Sequence, residues 1–81
     1  MSPSEVRVEL TKVFRNIFGQ TTLELKDEMT ASEVPGWDSL THIDLIVAVE
    51  KHFRIKLTTR DVAGLKNVGE LASLVEKRLA G

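Results

Sequence analysis

Asp38, Ser39 and His42 stand within one helical turn of each other, and a carboxylate, a hydroxyl and an imidazole are the residue types of a nucleophilic triad. The spacing argues against that use. A triad needs the imidazole bonded to the hydroxyl on one side and to the carboxylate on the other, beside an oxyanion site and a substrate pocket. Three side chains from one turn of a short helix do not supply all of these, so no residue is assigned a catalytic role. His42 falls on the apolar face of its helix and reads as a partly buried residue, or one that tunes the helix start; His52 is expected to be exposed. Two histidines this far apart do not suggest a metal site. What Ser39 offers instead is position. In Gly36-Trp37-Asp38-Ser39-Leu40 a turn closes at Pro35-Gly36, an aromatic follows, and a helix begins. Its first N–H groups and the positive end of its dipole suit an anion. Asp38 is the better cap, and on periodicity alone Ser39 reads either as a further cap residue or as the point of attachment for a phosphate-linked group.

The elements that must hold this turn are legible from apolar spacing. Ser2, Pro3 and Glu5 form a capping box with proline in the first turn, and Val6, Leu10, Val13, Phe14 and Ile17 make one stripe up to Gly19, which can end a helix in the left-handed region. Gln20 to Trp37 is long for a connection in so small a chain. Leu23, Leu25, Met29, Val34 and Trp37 are expected to pin it as an ordered loop with one short helical turn. The alternation at Leu23 and Leu25 is not read as a strand, because no second strand exists to pair with it. The second helix, Asp38 to Phe53, places His42, Leu45, Ile46, Val49 and Phe53 on one face. Leu40, Ile43 and Val47 fall on roughly the opposite side, flanked by Asp44, Glu50 and Lys51. An ordinary surface helix has a single apolar stripe. The second stripe is either covered by the preceding loop, exposed as a docking surface, or one wall of an internal pocket. Ile55 and Leu57 turn inward. Thr58 with Asp61 opens a short helix that Gly64 ends. Asn67 with Glu70 opens the last one, whose stripe is Val68, Leu71, Leu74, Val75 and Leu79 and whose Lys77 and Arg78 suit its C-terminal end. The expected fold is all-α: a bundle of three main helices plus one short helix, with a long loop between the first and second.

Composition narrows the function further. Eighty-one residues, 42% of them hydrophobic, suffice for one small core, so residues 1–81 read as a single domain. With no Cys there is no disulfide, zinc–thiolate site or cysteine nucleophile. A net charge of −1 argues against nucleic-acid binding. The longest apolar stretch, Leu45 to Val49, is too short to span a membrane. The first residues lack a basic region followed by an apolar run, so a cytoplasmic protein is the simplest expectation, and Met1 with a full bundle favours a free-standing one. The middle of the chain is its least acidic part: Asp38, Asp44 and Glu50 stand against Lys51, Arg54, Lys56 and Arg60.

Gly36-Trp37-Asp38-Ser39-Leu40, followed by Ile43-Asp44-Leu45-Ile46-Val47-Ala48-Val49-Glu50 and Phe53, closely resembles the acyl carrier protein family. The resemblance runs from the first helix to about Leu79. It includes the short helix near Thr59 to Ala63 and the Lys66-Asn67-Val68 entry to the last one. It implies a non-catalytic carrier. Ser39 would be esterified with 4′-phosphopantetheine, transferred from coenzyme A by a phosphopantetheinyl transferase, and the arm's thiol would hold acyl groups as thioesters. It further implies that acyl-loading and acyl-transferring enzymes grip the second helix at Asp38, Leu40, Ile43, Asp44, Val47 and Glu50, with the carrier itself a monomer that binds no nucleic acid and inserts in no membrane.

The sequence also departs from the family's fatty-acid-synthesis type, whose second helix and following loop are strongly acidic. Thr41, Lys51, His52, Arg54 and Lys56 stand where that type commonly places acids or other non-basic residues, so steering by an acidic patch would be weak or altered. Trp37 before Asp-Ser-Leu is similar to carriers of specialised pathways. A dedicated carrier for a polyketide, modified lipid or aminoacyl route is therefore expected more than the general fatty-acid carrier. The alternatives are a peptidyl or aminoacyl carrier, an unmodified helical interaction module that docks through Leu40, Ile43 and Val47, and, least favoured, a hydrolase.

Overall fold

Each helix begins where a short polar side chain can take up free N–H groups. In the computed structural model, which describes residues 2–80, the helices are α1 (Pro3–Phe18), α2 (Ser39–Phe53), α3 (Thr59–Ala63) and α4 (Val68–Ala80). The ends of the expected 1–81 domain, Met1 and Gly81, lie outside the described residues. Ser2 caps α1 with a reciprocal bond to Glu5, and Gly19 ends it at φ 63° with its N–H on the Arg15 carbonyl. Thr58 and Asp61 form the same box on α3. On α4 the Asn67 side chain accepts from the Glu70 N–H at 2.8 Å, and the Glu70 carboxylate accepts from the Lys66 N–H.

The apolar stripes meet in one core. α1 packs on both α2 and α4, bringing Val6, Leu10 and Phe14 against Leu45, Val49, Leu71 and Val75, all closed to solvent. Burying a side chain of this size stabilises the fold by roughly 1.5–3 kcal/mol each. One assignment shifts. Ala72, not Leu74, completes the buried face of α4. From Val68, positions three, four and seven residues on share a face, whereas six residues on points well away from it.

The loop from residue 20 to 38 contains no helical turn, contrary to expectation. It is a series of tight turns closed by N–H bonds of Leu23, Met29, Glu33 and Trp37 to carbonyls three residues back. Bonds and apolar anchors make it ordered. Arg15 donates to the Leu23 carbonyl at 2.8 Å, and Arg7 donates to both carboxylate oxygens of Asp27 and to Glu76 of α4. The first N–H groups of α4 also turn to the loop: Val68 donates to the Met29 carbonyl at 2.9 Å and Gly69 to that of Asp27 at 2.7 Å. The loop thus supplies the acceptors that a helix N-terminus lacks.

α3 is held differently. It contributes no buried residue and is tied to α4 by the Arg78–Asp61 ion pair. Few buried apolar contacts make it the least anchored of the helices.

Candidate functional site

Trp37 decides where the start of α2 sits. Its ring is buried edge-on to Phe14, with centroids 5.3 Å apart. Its indole N–H donates to His42 Nδ1 at 3.0 Å while the two rings stack. Because Nδ1 accepts, the neutral imidazole carries its proton on Nε2. The half-buried His42 therefore serves the geometry of the helix start. Its single aromatic–imidazole bond leaves Asp38 elsewhere, and no triad forms. Gly36, at φ 89°, supplies the turn before the tryptophan.

Asp38 caps α2: Oδ1 accepts from the N–H groups of Leu40 and Thr41 at 2.9 and 3.0 Å. Those N–H groups, Thr41 first and Leu40 second, hold its carboxyl below the usual range. Thr41 closes the cap from the other side, accepting from the Asp38 N–H at 2.8 Å and donating to the Gly36 carbonyl at 2.6 Å. Thr41 therefore has a structural role that its reading as a missing acid overlooked; the visible signal was a hydroxyl three residues beyond a capping aspartate. The cap also changes the account of Ser39. The Leu40 and Thr41 N–H groups are already occupied by an anion, so an anion on Ser39 would meet the helix dipole more than free donors.

Ser39 itself stays outside the cap and is exposed. Beside it lies an open hollow of about 330 Å³ between α2 and α3, lined by Ala31, Trp37, His42, Val62, Ala63, Leu65 and Lys66 as well as Asp38 and Ser39. An accessible hydroxyl free of the cap, next to a largely apolar hollow with a lysine at its edge, fits a phosphate-linked arm. Periodicity within α2 could not reveal this hollow, because its far wall comes from α3 and residues 62–66.

The second stripe is not covered by the loop. Leu40, Ile43 and Val47 are 77%, 63% and 42% exposed. Nor does it wall an internal pocket. Ile43 and Val47 form one side of an open groove of about 240 Å³ whose other side is Leu57, Thr58, Thr59 and Val62. Val62 faces both this groove and the hollow by Ser39, so α3 separates them. A phosphate-linked group on Ser39 would begin beside His42 and Val62, with α3 between it and the Ile43–Val47 groove.

The charged residues expected on the docking face fall into separate roles. Asp44 is exposed. Glu50 is half-buried, and its Oε2 accepts from the Leu57 N–H at 2.9 Å, holding the loop after α2. Asp38 is the cap. Of the basic group, His52 is exposed but its Nε2 lies 2.7 Å from Glu9 Oε1 on α1. Among the described residues no group of His, Asp or Glu side chains suits a metal ion, and no helix is long and apolar enough to cross a membrane.

A family model described as "Phosphopantetheine attachment site" matches residues 8–75. An acyl carrier protein of Thermotoga maritima is 26% identical over 78 residues, covering 96% of this chain and 96% of its own. A meromycolate extension acyl carrier protein of Mycolicibacterium aurum is 25% identical over 76 residues, covering 94% of this chain and 78% of its own. The solution structure of a holo acyl carrier protein from Geobacter metallireducens superposes with a TM-score of 0.86 at 43% identity, covering 93% of this chain and 86% of the other.

Proposed function

The chain belongs to the acyl carrier protein family, whose members are non-catalytic carriers with phosphopantetheine as prosthetic group, and from that premise we propose that Ser39 is the residue that bears the arm. The observation that carries this is the division of labour at the start of α2: Asp38 caps, Trp37 anchors, and Ser39 is left exposed at the edge of the 330 Å³ hollow. When bound, the arm supplies the thiol that a chain without Cys lacks, and with it the capacity to hold an acyl group as a thioester. The residues of this chain do the rest. The cap and the Trp37–His42 bond fix the serine's position, the dipole of α2 favours the phosphodiester, and Val62, Ala63 and Leu65 offer apolar surface beside it.

Tethering one acyl group to a soluble bundle raises its effective concentration at each enzyme visited. The exposed Leu40, Ile43 and Val47 with Asp44 are the surface we assign to those enzymes, with Asp38 and Glu50 contributing through the backbone they hold in place. The relatives include one named simply as an acyl carrier protein and one named for meromycolate extension. The basic residues at the far end of α2 favour a dedicated route; that the carrier acts as a monomer in the cytoplasm is part of the same proposal.

Intact mass measured after incubation with coenzyme A and a broad-specificity phosphopantetheinyl transferase tests the assignment. The protein gains the mass of one phosphopantetheine and Ser39→Ala gains none. An unmodified wild type, or a modified Ser39→Ala, overturns it.

A further inference from the structure

The far end of α2 carries a second recognisable surface. Val47, Glu50, Lys51, Arg54, Ile55 and Lys56 line an open hollow of about 330 Å³. Val47 is exposed and Ile55 half-buried, giving an apolar centre, while Lys51, Arg54 and Lys56 are all exposed around it. The one acid of the hollow, Glu50, is engaged by the Leu57 N–H. The ion pairs among the described residues are Arg7–Asp27, Arg7–Glu76, Lys12–Glu9, His52–Glu9 and Arg78–Asp61. Lys51, Arg54 and Lys56 belong to none of them, so the hollow sets three cations that form no ion pair against the single carboxylate of Glu50.

Backbone conformation adds a second observation. Arg54 caps the C-terminus of α2 at φ 56° and is the one non-glycine residue at positive φ among those described. Glycine adopts that conformation without strain and is the usual choice at such a helix end. Arginine is held here against a backbone penalty, at a position that lines the hollow.

We propose that this end of α2 docks the acidic face of a protein partner: an apolar side chain seated between Val47 and Ile55, with carboxylates meeting Lys51, Arg54 and Lys56. Charge complementarity selects the partner's sign. Three cations on a chain of net charge −1 are too small a footprint for a polyanionic nucleic acid. The inference rests on the carrier reading for its context and extends it. Ser39 and Arg54 are 15 residues apart along α2, or about 22 Å at 1.5 Å per residue. The partner's acidic patch therefore lies about one such length from the place where it receives Ser39. Asp44, between the two ends, gives the face opposite charges along its length and so a fixed polarity of docking.

The test uses Ser39→Ala protein, so that binding is read independently of the arm. Two synthetic amphipathic helical peptides are titrated into isotope-labelled protein: one with leucines on one face flanked by glutamates, the other identical but with lysines for the glutamates. The glutamate peptide shifts the amides of Val47, Lys51, Arg54, Ile55 and Lys56, and the lysine peptide does not. Lys51→Glu with Lys56→Glu weakens the glutamate peptide by about tenfold, and Lys77→Glu on α4 leaves it unchanged, as expected for charges at an interface rim. Unchanged thermal denaturation of the double variant separates lost binding from lost folding. Equal binding of both peptides, shifts confined to Leu40 and Ile43, or sedimentation with phosphatidylglycerol vesicles through the same lysines overturns the proposal. None of these outcomes bears on whether Ser39 of the wild type is modified, so the two readings fail separately.

Discussion

At Asp38 and Ser39 two adjacent polar residues have been given different work. The carboxylate accepts from two backbone N–H groups while the hydroxyl takes no part in the cap. Asp38→Ala therefore lowers the thermal midpoint, since a helix start loses its cap. Ser39→Ala leaves stability within about 0.5 kcal/mol, as for an exposed surface change, while abolishing modification. Differential scanning calorimetry of the two variants checks the contrast. Trp37 is the other residue on which the site depends. Trp37→Phe keeps an aromatic ring on Phe14 but removes the donor to His42 Nδ1. The loss of one partly buried hydrogen bond costs about 1 kcal/mol, read by urea denaturation. Imidazole nitrogen shifts in the same variant report release of the Nε2-protonated tautomer.

At the scale of elements, the loop and α4 are one interlocked unit. A Cβ placed on Gly69 would stand 3.0 Å from both the carbonyl oxygen and the Cβ of Asp27. The crowding atoms include backbone, and the same loop segment accepts the Gly69 N–H, so neither side can yield freely. Gly69→Ala destabilises the fold by roughly 1–3 kcal/mol, the range for overpacking a close contact, despite the helix propensity that alanine gains. Equilibrium urea denaturation measures it; a stabilised variant would show that the loop does not rest on α4. α3 lies at the opposite extreme, held by an ion pair and the half-buried Val62 with no fully buried residue, and it walls both the hollow by Ser39 and the groove by Ile43.

Across the whole molecule, several carboxylates that cap helices or tie elements together are held below their ordinary range. Asp61 is lowered from 3.8 to about 2, first by the Thr58 N–H and then by Arg78. Asp27 is lowered chiefly by Arg7, and Asp38 by its cap. A carboxyl that binds its proton less readily when folded stabilises the fold at pH values above its unfolded pKa. That stability is lost as pH falls through the folded one. The chain is thus at full carboxylate-linked stability above about pH 5 and loses it progressively toward about pH 2. Asp61→Asn is less stable at neutral pH and shows a shallower loss between those limits. Thermal midpoints measured across that range check both statements.

Sequence alone determined the helices and singled out Ser39 as the serine we propose to bear the arm, because these depend on neighbours within a few residues. Apolar spacing of three and four set the stripes of α1 and α2. Ser2, Asp38, Thr58 and Asn67 marked the helix starts, Gly19 ended α1, and Gly36-Trp37-Asp38-Ser39-Leu40 with the helix that follows carried the resemblance to the family. Leu74 for Ala72, and a helical turn in a loop that has none, mark the limits of one-dimensional periodicity. What only the tertiary structure decided are the partners brought from far along the chain. His52 of α2 turns to Glu9 of α1, Glu50 turns to the Leu57 N–H, and the loop carbonyls of Asp27 and Met29 meet α4. The hollow beside Ser39 has the same origin, because Val62, Ala63 and Leu65 face His42 only once the chain has folded α3 back onto α2. Burial and hydrogen bonding between such residues depend on how the helices pack, and no local pattern at Ser39 encodes that packing.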